Sequence, residues 1–165
     1  MFKKDKFKWT QQKDAMLCGV ACLEILCLSM GRKVSQTYLN ELCHPTSEGV
    51  SLQGLADTAD KLGLRSYAGY ITLNKLSNAD TPCILHWNQV HFVVLYHTDR
   101  NGKRFWIADP GKGKYKLSIE EFKNHWVSIT GKEGDKGIAM FFEPSEKFYE
   151  DTSDTKSDKQ SFHFL

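Results

Sequence analysis

The sequence predicts an α+β domain in which a helical first part precedes an antiparallel sheet. Up to Gly63, apolar residues recur at helical spacing behind serine caps. From Leu64 onward, short runs rich in β-branched and aromatic residues alternate with turn signals. The chain has 165 residues, of which 41% are hydrophobic and 25% charged. That composition is ordinary for a globular protein, and the length suffices to bury a core without disulfides or metal.

Three helices are predicted in the first part, at residues 18–30, 36–42 and 52–62. Gly31 is a C-terminal stop for the first of them. Ser35 and Ser51 are N-caps for the second and third, since a serine hydroxyl can accept from a free N–H of the first turn. Gly63 ends the third helix.

The second part predicts five strands, at residues 64–71, 82–87, 91–97, 104–108 and 138–142. A polar stretch up to Asp80 separates the first strand from the second. Asn101-Gly102 is a hairpin signal between the third and fourth strands. Ser118 and Glu121 have the spacing of a capping box, which opens a short helix that runs to about Trp126.

Residues 1–143 are predicted to form one domain, and residues 144–165 a polar linker. The linker segment is rich in Lys, Asp, Glu, Ser and Thr, with little to bury. Its last residues, Phe162 to Leu165, turn apolar again, as if a further segment followed.

Charge and cysteine content exclude several classes of protein. The net charge is +2 with basic and acidic residues interleaved, so there is no electrostatic footprint for nucleic acid. The five cysteines are an odd number without regular spacing, which favours a reducing compartment over a disulfide framework. Neither a signal peptide nor a transmembrane span is present. We therefore expect a soluble domain in, or facing, the cytosol.

Cys18 is the candidate nucleophile. It opens an apolar helix, where unpaired N–H groups and the helix dipole favour a thiolate over a thiol. The small residues Gly19 and Ala21 would let a substrate backbone approach closely. The alternative is that Cys18 is only a small apolar residue packed at a helix start.

His91, Asp109 and Gln12 complete a candidate site. His91 stands at the mouth of a strand, where it could act as general base, although such a histidine is often structural. Asp109 ends the strand paired with it and could orient the imidazole, although Asp-Pro-Gly is also a common turn. Gln12, six residues before Cys18, could donate to an oxyanion, with Gln11 as the alternative. Cys, His and Asp in this order are the arrangement of a papain-like cysteine peptidase.

Two blocks of the chain resemble the double-glycine leader peptidases, the papain-like domains that begin bacteriocin-processing ABC transporters. The first block is Gln12 to Leu23, around Cys18. The second combines His91-Phe92-Val93-Val94-Leu95 with Ile107-Ala108-Asp109-Pro110-Gly111 and continues into the short helix near Trp126. One departure is Leu17, because the family often has an acidic residue immediately before the cysteine.

The resemblance implies a papain-like fold and a cysteine endopeptidase that cuts precursor peptides after a Gly-Gly or Gly-Ala pair. It assigns Cys18 as nucleophile, His91 as base, Asp109 as orienting acid and Gln12 as oxyanion donor. The implied partners are a precursor with an amphipathic, helical double-glycine leader and the membrane and ATP-binding domains of a transporter, at the cytoplasmic face of a bacterial membrane. The resemblance implies no metal, organic cofactor or nucleic acid. ATP would bind only to a transporter domain outside these residues. Residues 144–165 would lead to a transmembrane helix that this chain lacks.

Two other functions compete with this interpretation. One is a docking module that binds leader peptides without cutting them, against which the presence of Cys18, His91 and Asp109 together argues. The other is a thiol redox or metal protein that uses Cys18 and Cys22, four residues apart on one helical face. No second cysteine or histidine pair has metal-ligand spacing, so the metal hypothesis is weak.

Overall fold

The structure is a computed structural model, and it describes residues 4–14, 17–44, 49–99 and 101–150. The first part is helical, as the sequence predicts, and contains α1 (Cys18–Ser29), α2 (Gln36–Cys43) and α3 (Leu52–Leu62). Ser35 and Ser51 cap α2 and α3, each accepting a hydrogen bond from a backbone N–H three residues on. Gly63 ends α3 with a positive φ of 92°, a conformation that glycine adopts without steric cost.

The second part holds a seven-stranded antiparallel sheet with short helices between strands. The elements are β1 (Leu64–Thr72), α4 (Leu73–Ser77), β2 (Cys83–Trp87), β3 (His91–Thr98), β4 (Arg104–Asp109), β5 (Gly113–Ser118), α5 (Ile119–Trp126), β6 (Ile129–Gly131), β7 (Gly134–Pro144) and α6 (Glu146–Glu150). The strand order is β1-β7-β2-β3-β4-β5, and β6 pairs with one end of β7. The α+β prediction is confirmed.

The central strands are buried on both faces because each face is covered by a different apolar cluster. On one face, α1, α2 and α3 pack on the side chains of Ile84, Phe92, Val94 and Met140. On the other, α4 and α5 cover the alternate residues, which include Leu85, Val93, Leu95 and Phe105. This alternation follows from the two-residue period of a strand. It places α1 directly against β3, so the first residues of these two elements lie close together.

The sequence did not predict α4, β5, β6 or α6. A single turn such as α4 leaves almost no periodic signal, although Thr72 caps it by accepting from the N–H of Lys75. The segment Gly113 to Ser118 alternates between half-buried and exposed residues, as a strand does. Three of its six residues are polar, so the segment is not an apolar run and was not predicted as a strand. β6 has three residues, all of them exposed.

The folded part extends beyond residue 143, where the sequence analysis placed the domain boundary. Phe148 in α6 is fully buried in the helical cluster. Arg32 holds this segment by donating from one guanidinium nitrogen to the carbonyls of Leu62 and Phe148, at 3.1 and 3.0 Å. Residues 144–150 are therefore part of the domain rather than a linker, and the remaining predicted linker, residues 151–165, lies outside the described residues.

No helix among the described residues combines the length and the apolar character needed to cross a membrane.

Candidate active site

Three of the four candidate residues stand at the ends of neighbouring elements. Cys18 is the first residue of α1, His91 is the first of β3, and Asp109 is the last of β4. β3 and β4 are antiparallel neighbours, so the start of one lies beside the end of the other. The fold thus brings together three residues that are up to 91 positions apart in the chain.

His91 and Asp109 form a direct pair. Nε2 of His91 lies 2.8 Å from Oδ1 of Asp109, and the aspartate side chain is only 2% exposed against 25% for the histidine. With Nε2 engaged by the carboxylate, Nδ1 is the ring nitrogen left to face the thiol. Asp109 therefore holds the imidazole at Nε2, and the side of the ring that carries Nδ1 remains open to reactants.

The Asp109 carboxylate is stabilised in its ionised form. Burial alone would raise its pKa, but the hydrogen bonds from His91, the backbone N–H of Gly111 and the hydroxyl of Tyr115 lower the pKa from its ordinary value. The Gly111 N–H donates to Oδ1 and the Tyr115 hydroxyl to Oδ2, both at 2.9 Å. A buried carboxylate with three donors remains charged when a neighbouring imidazole gains a proton.

The Cys18 thiol lies in a setting that favours its thiolate. Burial would raise the pKa of Cys18, but hydrogen bonds with the His91 side chain and the Phe92 backbone, together with the charge on His91, lower it. The backbone N–H of Gly19 acts in the same direction. The first turn of α1 has no acidic residue and no side-chain cap, so its dipole acts on the sulfur uncompensated.

The two protonation equilibria support each other. Burial would lower the pKa of His91, but its bonds to Asp109 and Cys18 raise it to about 9. The lowered pKa of the thiol and the raised pKa of the imidazole both favour a charged pair, with a thiolate at Cys18 and an imidazolium at His91.

The Gln12 segment is joined to the turn that follows Asp109. The backbone N–H of Gln12 donates to the carbonyl of Pro110 at 3.0 Å, and the indole of Trp9 donates to the carbonyl of Asp109 at 2.6 Å. The Gln12 side-chain nitrogen donates to the carbonyl of Asp14 at 3.0 Å. Gln11, the alternative donor, has an exposed side chain, and its carbonyl is bound by Gln36.

A sequence model of the Peptidase C39 family matches residues 6–133. The chain belongs to this family. It is therefore a cysteine peptidase, and the resemblance predicted from the two sequence blocks is confirmed.

Two relatives of known function are similar to this chain. The colicin V secretion/processing ATP-binding protein CvaB of Escherichia coli is 32% identical over 88% of this chain. The lactococcin-G-processing and transport ATP-binding protein LagD of Lactococcus lactis subsp. lactis is 32% identical over 72% of it. The chain covers only 19% and 17% of these two relatives, about a fifth of their length.

A solved structure gives the same result for the fold. The crystal structure of a double glycine motif protease from an AMS/PCAT transporter, in complex with the leader peptide, superposes with a TM-score of 0.74 at 30% identity. The similarity covers 85% of this chain and 93% of that one. The predicted papain-like fold is confirmed.

Gly19 and Ala21 differ from the role predicted for them in this C39 domain. Both are buried rather than open to a substrate. A Cβ placed on Gly19 would come within 3.2 Å of Leu55 and 3.4 Å of Phe92. The small size of Gly19 thus serves the close packing of α1 against Leu55 of α3 and Phe92 of β3.

The structure gives little support to the redox and metal hypotheses. Cys22 is fully buried one turn below Cys18, and burial raises its pKa well above the ordinary value. A buried thiol that resists ionisation is a poor partner for exchange chemistry. Within the described ranges, no three His, Cys, Asp or Glu side chains are grouped so that they could hold a metal ion.

Sequence reasoning missed two residues that bind Asp109, namely Tyr115 and Trp9. Tyr115 lies on the unpredicted strand β5, whose alternating pattern was the available signal. Trp9 binds only the backbone of Asp109, and a contact of this kind leaves no trace in a single sequence.

We expect peptide cleavage to follow a bell-shaped pH dependence in kcat/KM. Cleavage should rise as pH passes the lowered pKa of Cys18 and should fall as pH passes about 9, where His91 loses its proton. Alkylation of Cys18 by iodoacetamide needs only the thiolate, so its rate should rise on the acid side in the same way but persist above pH 9. An alkylation rate that rises only near the ordinary thiol pKa would contradict the ion pair.

Proposed function

We propose that this chain is an endopeptidase that removes double-glycine leaders from precursor peptides, using Cys18, His91, Asp109 and Gln12. The observation that carries the proposal is the 2.8 Å contact between His91 and Asp109 beside a thiol of lowered pKa. It occurs in a C39 domain that is similar to a double glycine motif protease crystallised with its leader peptide.

The chemistry follows the acyl-transfer scheme of cysteine peptidases. The Cys18 thiolate attacks the carbonyl carbon of the second glycine, and the resulting oxyanion is stabilised by the Gln12 amide and the backbone N–H of Cys18. The His91 imidazolium gives its proton to the departing amine, which releases the cargo peptide. Water, deprotonated by His91, then hydrolyses the thioester and frees the leader. Asp109 keeps the imidazole oriented and stabilises its charge throughout.

The cleavage site and the partners follow from the same proposal. Glycines on the acyl side of the bond suit a narrow cleft that has no room for side chains. The leader binds as an amphipathic helix whose apolar face docks on a shallow hydrophobic surface of the domain. The domain works at the cytoplasmic face of a bacterial membrane beside the membrane and ATP-binding domains of an exporter. Proteolysis itself uses no metal, organic cofactor or nucleic acid.

The proposal is tested by incubating the protein with synthetic double-glycine leader peptides and reading the products by mass spectrometry. We expect one cut, after the second glycine, that disappears when iodoacetamide blocks the thiol. A Val-Val junction in the same leader is the matched control and should remain intact. Leader binding without any cut, across a panel of such leaders, would replace the proposal with the docking-module function.

A further inference from the structure

We propose that Tyr115 is a positioning residue of the active site: its hydroxyl holds the Asp109 carboxylate in the orientation in which the other oxygen accepts from His91. The inference rests on the proposed function, because it takes His91 and Cys18 as the reacting pair. Tyr115 itself touches neither the thiol nor, in the proposed chemistry, the peptide.

The bonds to Asp109 divide between its two oxygens. Oδ1 accepts from His91 at 2.8 Å and from the Gly111 N–H at 2.9 Å, whereas Oδ2 accepts from the Tyr115 hydroxyl at 2.9 Å. The torsion that turns an aspartate carboxylate is soft. A carboxylate held on one oxygen can therefore rotate away from its partner. The bond from Tyr115 fixes the second oxygen and with it the plane of the group.

The sheet explains how Tyr115 reaches this position. In the β4–β5 register, Gly113 is opposite Asp109, and Tyr115 is opposite Ile107. Tyr115 is thus diagonal to Asp109 on one face of the sheet, within the span of an aromatic side chain. Its ring packs with the apolar cluster beneath α5, while the flanking residues Lys114 and Lys116 are exposed. The packing of the Tyr115 ring in this cluster therefore fixes the position of its hydroxyl.

The Tyr115 hydroxyl is the donor in its bond to Asp109, because an ionised carboxylate can only accept. The Trp87 side chain also acts on the Tyr115 hydroxyl, in the direction that lowers its pKa. An indole N–H can only donate, so it faces the tyrosine oxygen and leaves the hydroxyl proton to Asp109. Trp87 is buried and lies directly across from His91 in the β2–β3 pair. Trp87, Tyr115, Asp109 and His91 are therefore neighbours at this end of the sheet.

The surroundings of Tyr115 keep its hydroxyl protonated, so it remains a hydrogen-bond donor. Burial and then the charge of Asp109 raise the pKa of the Tyr115 hydroxyl, so it keeps its proton throughout the working range. The other titratable groups that act on Asp109 are His91 and the buried Cys22. Because Cys22 resists ionisation, the groups that lower the pKa of this carboxylate are His91, the Gly111 N–H and Tyr115.

The test is Tyr115→Phe, which removes the hydroxyl and keeps the ring. We expect kcat for leader cleavage to fall about 10-fold with little change in KM, since a hydrogen bond to a charged group is lost away from the peptide. With Asp109 free to turn, the Cys18–His91 ion pair weakens. The pKa of Cys18 should therefore rise and the pKa of His91 should fall in this variant. The pH range in which the thiol is rapidly alkylated while His91 remains protonated should become narrower at both ends.

Tyr67→Phe is the matched control. The Tyr67 hydroxyl also contacts a carboxylate, that of Glu143 at 3.4 Å, but on β1 at the opposite edge of the sheet. Its kcat and its pH profile should match those of the wild type. Rates are normalised to the folded fraction, so a loss of stability alone would leave the Tyr115→Phe profile unchanged.

A second measurement separates positioning from a general structural role. In an Asp109→Asn background, Tyr115→Phe should produce no further change in the rate of Cys18 alkylation, because it acts only through the carboxylate. A wild-type pH profile in Tyr115→Phe, or a full additional effect in the Asp109→Asn background, would overturn the inference. Failure of the proposed function would appear differently, as a wild-type protein that cuts no leader.

Discussion

Replacing Cys18 by alanine should abolish leader cleavage and leave leader binding almost unchanged. In the proposed mechanism the Cys18 thiolate forms the bond to the peptide, and neither His91 nor the backbone donors can replace a missing nucleophile. Loss of such a group lowers kcat by a factor of about 10⁴ or more. Alanine removes one sulfur atom from the partly exposed first turn of α1, so the fold and the docking surface persist.

The experiment compares cleavage by mass spectrometry with leader affinity by calorimetry in the same preparation. Cys43→Ala is the matched control, because Cys43 is also half-buried but burial raises its pKa. This control should cleave at the wild-type rate. Cleavage that persists in Cys18→Ala would exclude Cys18 as the nucleophile, and lost leader binding would show that Cys18 also shapes the leader site.

The parts of the fold that the sequence predicted are those with strong local signals. α2, α3 and α5 begin behind a serine that accepts from the first turn, and in α5 Glu121 completes a capping box. β2 and β3 are continuous apolar runs, as expected for strands covered on both faces. The chain order Cys, His, Asp and the position of His91 at a strand mouth predicted that His91 would meet Cys18, and the resemblance to the leader peptidases pointed to the same pair.

The missed parts depend on contacts that are distant in the chain. Phe148 is one apolar residue in a charged segment, and only its burial against the end of α3 and Arg32 shows that residues 144–150 belong to the domain. Nothing in the sequence distinguishes Tyr115, and only the β4–β5 register shows that its hydroxyl reaches Asp109. Gly19 was predicted to face the substrate, but it is buried and packs against Leu55 and Phe92.

Asp109→Asn should lower kcat/KM for leader cleavage by a factor of about 100 to 10,000, through His91 rather than through any contact with the peptide. A neutral amide no longer stabilises the imidazolium. The pKa of His91 should therefore fall from about 9, and the pKa of Cys18 should rise because the positive charge beside it is less populated. The amide also presents an N–H that can oppose Nε2, so the wrong ring tautomer gains population.

Asp109→Asn should also change the pH dependence of Cys18 alkylation. Both pKa shifts lower the population of the thiolate–imidazolium pair. Alkylation of Cys18 at neutral pH should therefore slow, and the acid limb of its rate profile should move to higher pH. Asp57→Asn is the matched control, since Asp57 is an exposed carboxylate on α3 that accepts from Gln53. An Asp109→Asn protein that loses cleavage but keeps the wild-type alkylation profile would mean that Asp109 orients the imidazole without stabilising its charge. Unchanged cleavage would remove Asp109 from the active site altogether.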